Sequence, residues 1–93
     1  MKVTPDIIRY EFIGAEGKVA RSPHECYVGL GGKVVGETKN TFTFLREGQA
    51  KSVIKESAVF NFKFDDGTVV EIDGKLLVGR SEDRLKKSIK RLW

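Results

Sequence analysis

Ala58-Val59-Phe60-Asn61-Phe62-Lys63-Phe64-Asp65-Asp66-Gly67-Thr68-Val69-Val70-Glu71-Ile72-Asp73 is the stretch that decides the fold class. Phe60, Phe62 and Phe64 fall on one side of an extended chain and Val59, Asn61 and Lys63 on the other, the period of a strand with one buried face. Asp65-Asp66-Gly67 supplies a tight turn, because Asp and Gly tolerate positive φ, and Thr68 to Asp73 returns as the second strand of a hairpin. Working back toward the N-terminus, Ala50 to Lys55 is preceded by the turn Glu47-Gly48-Gln49, and the strand Thr41 to Arg46 sets Phe42 and Phe44 on one side. Lys39-Asn40 makes a further turn. Before it runs a long segment, Tyr27 to Thr38, whose Gly29, Gly31, Gly32 and Gly36 predict a sharp bend, because glycine permits bulge geometry. Lys18 to Arg21 is a short strand and Ser22-Pro23-His24-Glu25 a turn. Five or six short, bent strands linked by Gly-containing turns predict a mainly β protein, a small antiparallel barrel over residues 17–74.

Both flanks read as helical. Thr4-Pro5-Asp6 has the cap, the first-turn proline and the acidic residue of a helix start, and Ile8 and Phe12 share a face, so a short helix or turn is expected over 4–13. Ser81 caps a second helix over 81–92, in which Leu85, Ile89 and Leu92 form an apolar stripe.

With 93 residues and 40% apolar content the chain makes one domain with a thin core. Cys26 is the single cysteine, so no internal disulfide forms, which suits a reducing, cytoplasmic setting. No stretch approaches the roughly 20 apolar residues of a membrane span, and neither a leader nor membrane contact is expected. The charge is more telling. Residues 1–79 carry 11 Lys and Arg against 11 Asp and Glu, whereas residues 80–93 carry six against two, so the whole net charge of +4 falls in the last fourteen residues. A concentrated cationic segment attracts phosphate by counterion release.

Three stretches then resemble a known family. Gly32-Lys33-Val34-Val35-Gly36-Glu37-Thr38-Lys39-Asn40-Thr41 is similar to the G-x-V-x-x-E-T-x-N-T signature of ribonuclease P protein component 1, a subunit shared by archaeal and eukaryotic ribonuclease P. Asp73-Gly74-Lys75-Leu76-Leu77-Val78-Gly79-Arg80-Ser81-Glu82-Asp83-Arg84 resembles its G-x-L-L-x-x-R-P-E-D-R segment, with Ser81 in place of the commoner Pro. Thr4 to Gly14 fits as well, so the likeness covers nearly the whole chain. It implies an Sm-like barrel and a non-catalytic RNA-binding subunit that orders the catalytic RNA of a tRNA-processing endonuclease. It also implies partnership with that RNA and with a small zinc-binding protein subunit, indirect contact with precursor tRNA, and magnesium for the RNA rather than for this chain.

The expected RNA contacts are Arg80, Arg84, Lys86, Lys87, Lys90 and Arg91 in the cationic tail, with Lys33 and Lys39 as secondary candidates. The plainer reading of the tail is a solvated helix face. Arg84 equally suits pairing with a carboxylate. Ile7, Ile8, Phe12, Leu85 and Ile89 either fold back onto the barrel or form a patch for the protein partner. Glu37 to Thr41 reads equally as a structural turn, and the alternating phenylalanines read as core rather than as base-stacking platforms. His24 and Cys26 fall short of the four ligands of a zinc site, and Asp65-Asp66 is explained by turn chemistry. The alternatives are a generic Sm-like or SH3-like adaptor for proteins and a small metal-dependent nuclease using Asp65, Asp66 and His24.

Overall fold

In the hairpin that decides the fold class, the alternation of Phe60 and Phe62 becomes the inner face of a strand. A computed structural model describes Ile8, residues 11–80 and Arg84. Its strands are β1 (Glu16–Arg21), β2 (Gly31–Glu37), β3 (Thr41–Arg46), β4 (Gln49–Ile54), β5 (Val59–Lys63) and β6 (Val69–Asp73). All pair antiparallel in one sheet of order β4-β3-β2-β1-β5-β6. Thr68 donates its amide to Asp66 Oδ1 at 2.9 Å, so the carboxylate in the β5–β6 turn closes that turn, as the Asp-Asp-Gly sequence predicts.

Among the described residues no second layer covers the sheet's apolar face, and the sheet folds over on itself instead. β3 and β5 stand three strand spacings apart in the order, about 14 Å if the sheet were flat. The rings of Phe42 and Phe60 are nonetheless 5.5 Å apart and those of Phe42 and Phe62 5.6 Å, so the inner face is wrapped around a phenylalanine core. Bulges at Val19/Arg21 in β1 and at Val34/Gly36 in β2 introduce the bend. Gly17 lies on the inner face of β1 between the crossing rings, where a Cβ would stand 2.6 Å from the ring of Phe44. Val53 of β4 and Ile72 of β6 are both fully buried, so the core reaches the two outer strands, yet β4 and β6 do not pair. The sheet is therefore curled and open, where the sequence predicted a closed barrel.

Several boundaries differ from expectation. β1 begins two residues earlier, at Glu16, and the long segment from Tyr27 is not strand until Gly31. Glu25–Tyr27 forms a 3-10 turn, and Gly29 takes φ +87°, a conformation that ends extended structure. Lys55 leaves β4 for a 3-10 turn, Lys55–Ser57, and Gly74–Leu77 makes another beside it. The helix expected over 4–13 falls largely outside the described residues, and Glu11 and Phe12, which are described, lie in irregular chain. The helix expected over 81–92 is likewise outside them except at Arg84, whose amide bonds to the Arg80 carbonyl at 3.0 Å.

Candidate nucleic-acid interface above a buried charge cluster

The two recognisable motifs are about forty residues apart in sequence and meet in space. Thr38 to Thr41 is a tight β2–β3 turn: the Thr38 amide donates to the Thr41 carbonyl at 2.9 Å, and the Thr38 and Thr41 hydroxyls are 2.6 Å apart. Outside this turn, Gly79 donates its amide to the Lys39 carbonyl at 2.7 Å and Lys55 donates its own to the Asn40 carbonyl at 2.8 Å. Lys39, at the tip of one motif, is thereby placed next to Arg80, which follows Gly79 in the other, and both side chains are exposed. Two cations predicted for RNA contact form one knuckle.

Beneath it lies a cluster that the sequence did not disclose. Glu37, at the end of β2, is 4% exposed in its side chain and faces two fully buried cations, Lys55 and Arg84. Lys55 Nζ donates to Glu37 Oε2 at 2.7 Å and to the carbonyls of Thr38, Gly79 and Lys39 at 2.8, 2.8 and 3.3 Å. Arg84 donates to both Glu37 oxygens, to the Ile8 carbonyl at 2.6 Å, and to the Gly79 and Leu77 carbonyls at 2.7 and 3.2 Å. The cations also sit over core rings, Lys55 at 4.6 Å from the centroid of Phe42 and Arg84 at 5.4 Å from that of Phe12. Among the described residues the carboxylate in contact with both cations is Glu37. Five inward-pointing carbonyl oxygens complete the donors' partners, the condition under which a buried charge becomes tolerable.

This geometry decides between two pairs of alternatives. Arg84 presents no face to a phosphate: it is fully buried and pairs with the Glu37 carboxylate, the second of the two readings its sequence position allowed. Ile8 and Phe12 are 1% and 0% exposed and belong to the core, packed by the same Arg84 bonds that hold the Ile8 carbonyl, so they form no patch for a protein partner. Phe60 and Phe62 are core as predicted, with Phe64 half-buried at its edge. Lys33 is exposed but stands apart on β2, six residues and about 20 Å along the chain from Lys39. Ile7, Leu85, Lys86, Lys87, Ile89, Lys90 and Arg91 lie outside the described residues. Lys55 escaped notice because a lysine at a strand end defaults to solvent. The one available hint was the carboxylate of Glu37, carried inside a motif otherwise made of turn formers.

Comparison with known proteins agrees with this arrangement. Residues 5–87 match the family model described as ribonuclease P/MRP, subunit p29. The chain is 43% identical over 94 residues to ribonuclease P protein component 1 of Methanococcus aeolicus, covering 98% of this chain and 97% of that protein. It is also 43% identical over 91 residues to the protein of the same name from Methanothermobacter thermautotrophicus, covering 96% and 98%. A solved structure described as Mth11, a homologue of the human RNase P protein Rpp29, superposes with a TM-score of 0.61 at 43% identity, covering 81% of this chain and 97% of that one. With both motifs joined through Glu37 and Arg84 and a match spanning nearly the full length, the chain belongs to the ribonuclease P/MRP subunit p29 family.

Proposed function

We propose that this chain is a non-catalytic, RNA-binding protein subunit of ribonuclease P, the ribonucleoprotein endonuclease that removes the 5′ leader of precursor tRNA. It acts by holding the RNA in its working shape. The observation that carries this reading is the cationic knuckle of Lys39 and Arg80, fixed by main-chain bonds above the buried Glu37, Lys55 and Arg84 cluster, in a chain of this family. Positive groups on rigid turns reduce phosphate repulsion where RNA segments pack closely, and A-form RNA is read through its backbone and shape. The fold supports the same role as an open form of an Sm-like barrel. The cationic tail, Lys86, Lys87, Lys90 and Arg91, extends the contact. Catalysis then resides in the RNA, which holds the magnesium; the chain works in the cytoplasm, with a small zinc-binding subunit as protein partner and precursor tRNA touched indirectly.

Reconstitution tests this reading. Ribonuclease P RNA is combined with this chain and the zinc-binding companion, and precursor tRNA cleavage is followed across magnesium concentrations. The expected result is that the chain lowers the magnesium requirement and cleaves nothing alone. An unchanged magnesium profile, or cleavage by RNA-free protein, overturns it.

A further inference from the structure

The outer face of the sheet carries a second group of cations, unconnected to either motif turn. The register sets Glu16 of β1 directly opposite Lys33 of β2 on one side and Lys63 of β5 on the other. Lys18, two residues along β1, lies on the same outward face, with Asn61 of β5 paired beside it. Their inward-facing neighbours Gly17, Val19, Val34 and Phe62 are buried, so the backbone beneath these residues is held by the core. All three lysines and Glu16 are exposed, and among the described residues none of the four makes an ion pair. From strand spacing and rise, the lysine Cα atoms form a triangle with sides of about 8, 8 and 10 Å. That is comparable with the spacing of neighbouring phosphates, and the flexible ammonium arms cover the remainder. Of the other acidic groups on this side, Glu71 is occupied by Arg21 at 3.4 Å and Asp73 accepts from the Lys75 amide at 3.0 Å.

We infer that Lys18, Lys33 and Lys63 form a second docking face for a phosphodiester backbone, so that the protein holds two RNA segments at once. Lys39 and Arg80 hold one, at the β2–β3 end, and this face holds the other. Three lysines around one unpaired carboxylate suit a polyanion better than a protein surface of mixed charge, and lysines without a planar fork suit phosphate rather than base edges. Bridging gives the subunit a way to order RNA: two modest contacts on one rigid body raise the effective concentration of each segment for the other.

This inference rests on the RNA-binding reading, and the experiment separates the two. Full-length chain is titrated against a ribonuclease P RNA transcript at several salt concentrations, alongside Lys18→Ala/Lys33→Ala/Lys63→Ala and Glu16→Gln. If the wild type fails to bind, the functional reading falls. If the wild type binds, the triple variant is expected to reduce the salt slope by about two to three contacts while its melting temperature stays unchanged. Glu16→Gln is expected to tighten binding about 2-fold to 5-fold, a gain that a merely structural role does not produce. Backbone cleavage protection is expected in two separate RNA segments, with one lost selectively in the triple variant. An unchanged salt slope in that variant, weaker binding by Glu16→Gln, or a single protected segment overturns the second face.

Discussion

Replacing Glu37 by Gln keeps the shape of the side chain and removes the carboxylate that, among the described residues, bridges Lys55 and Arg84. Both cations have no exposed surface, so neither can turn to water without opening the core over Phe42 and Phe12. Removing one partner of a buried pair costs about 3–5 kcal/mol, and here a single change strands two cations, which places the expected loss at the upper end. Folded domains have total stabilities of about 5–15 kcal/mol, so Glu37→Gln is expected to consume a large share of it. In a chain of this size that corresponds to a melting temperature lowered by roughly 15 °C or more. The assay is urea unfolding of full-length protein followed by tryptophan fluorescence and far-ultraviolet circular dichroism. Lys55→Met provides the internal control, because it leaves one cation facing one carboxylate. Combined with Glu37→Gln it should cost less than the sum of the single changes, a positive coupling above about 1 kcal/mol. A Glu37→Gln loss below about 1 kcal/mol, the range of an exposed pair, would falsify the view that this cluster holds the fold together.

Gly74→Ala is expected to be among the most damaging single changes, because its Cβ would stand 1.8 Å from the Lys55 carbonyl and 2.6 Å from that of Ala58. A loss above about 3 kcal/mol in urea unfolding is expected, and a neutral result would mean that the two 3-10 turns separate freely. Lys39→Ala combined with Arg80→Ala should leave the unfolding midpoint nearly unchanged and lower the salt dependence of RNA binding by about two contacts in a filter-binding titration. Replacing Lys86, Lys87 and Lys90 by Ala should lower the same slope by up to about three. Deleting residues 80–93 removes Arg84 and is expected to destabilise the whole sheet, as a thermal melt will show.

What could be read in the sequence follows from what each residue type reveals about its surroundings. The β5–β6 hairpin was legible because alternation and an Asp-Gly turn are local signals, sufficient without the rest of the chain. Thr41 to Arg46 matched its strand to the residue for the same reason. Tyr27 to Leu30 was misread because four glycines are compatible both with a bent strand and with a turn preceding one, and only the paired partner of each residue decides. The open edge between β4 and β6 is a property of the whole curl and leaves no mark in any one segment. At the candidate site, Lys39 and Arg80 are proposed from charge and likeness, yet nothing local tells that they are neighbours; that depends on the 2.7 Å bond from Gly79 to Lys39.

Arg84 shows why charge alone locates an interface poorly. It was counted with a cationic tail because composition sums charges without asking which are solvated. Yet a guanidinium with five donors is also the side chain best able to satisfy several buried acceptors at once. In this fold it gathers the carbonyls of Ile8, Leu77 and Gly79 and the Glu37 carboxylate around one planar group, joining the N-terminal segment, the last 3-10 turn and β2. The same cluster fixes Lys55, whose carbonyl contacts run to Thr38, Lys39 and Gly79, so the turn that presents Lys39 is shaped from below by buried charge. The residues that carry the family likeness thus divide into two kinds of work: Glu37 and Arg84 build the platform, and Lys39 and Arg80 are what the platform exposes. Losing the first pair should therefore abolish RNA binding through unfolding, and losing the second should weaken it in a protein that still melts like the wild type.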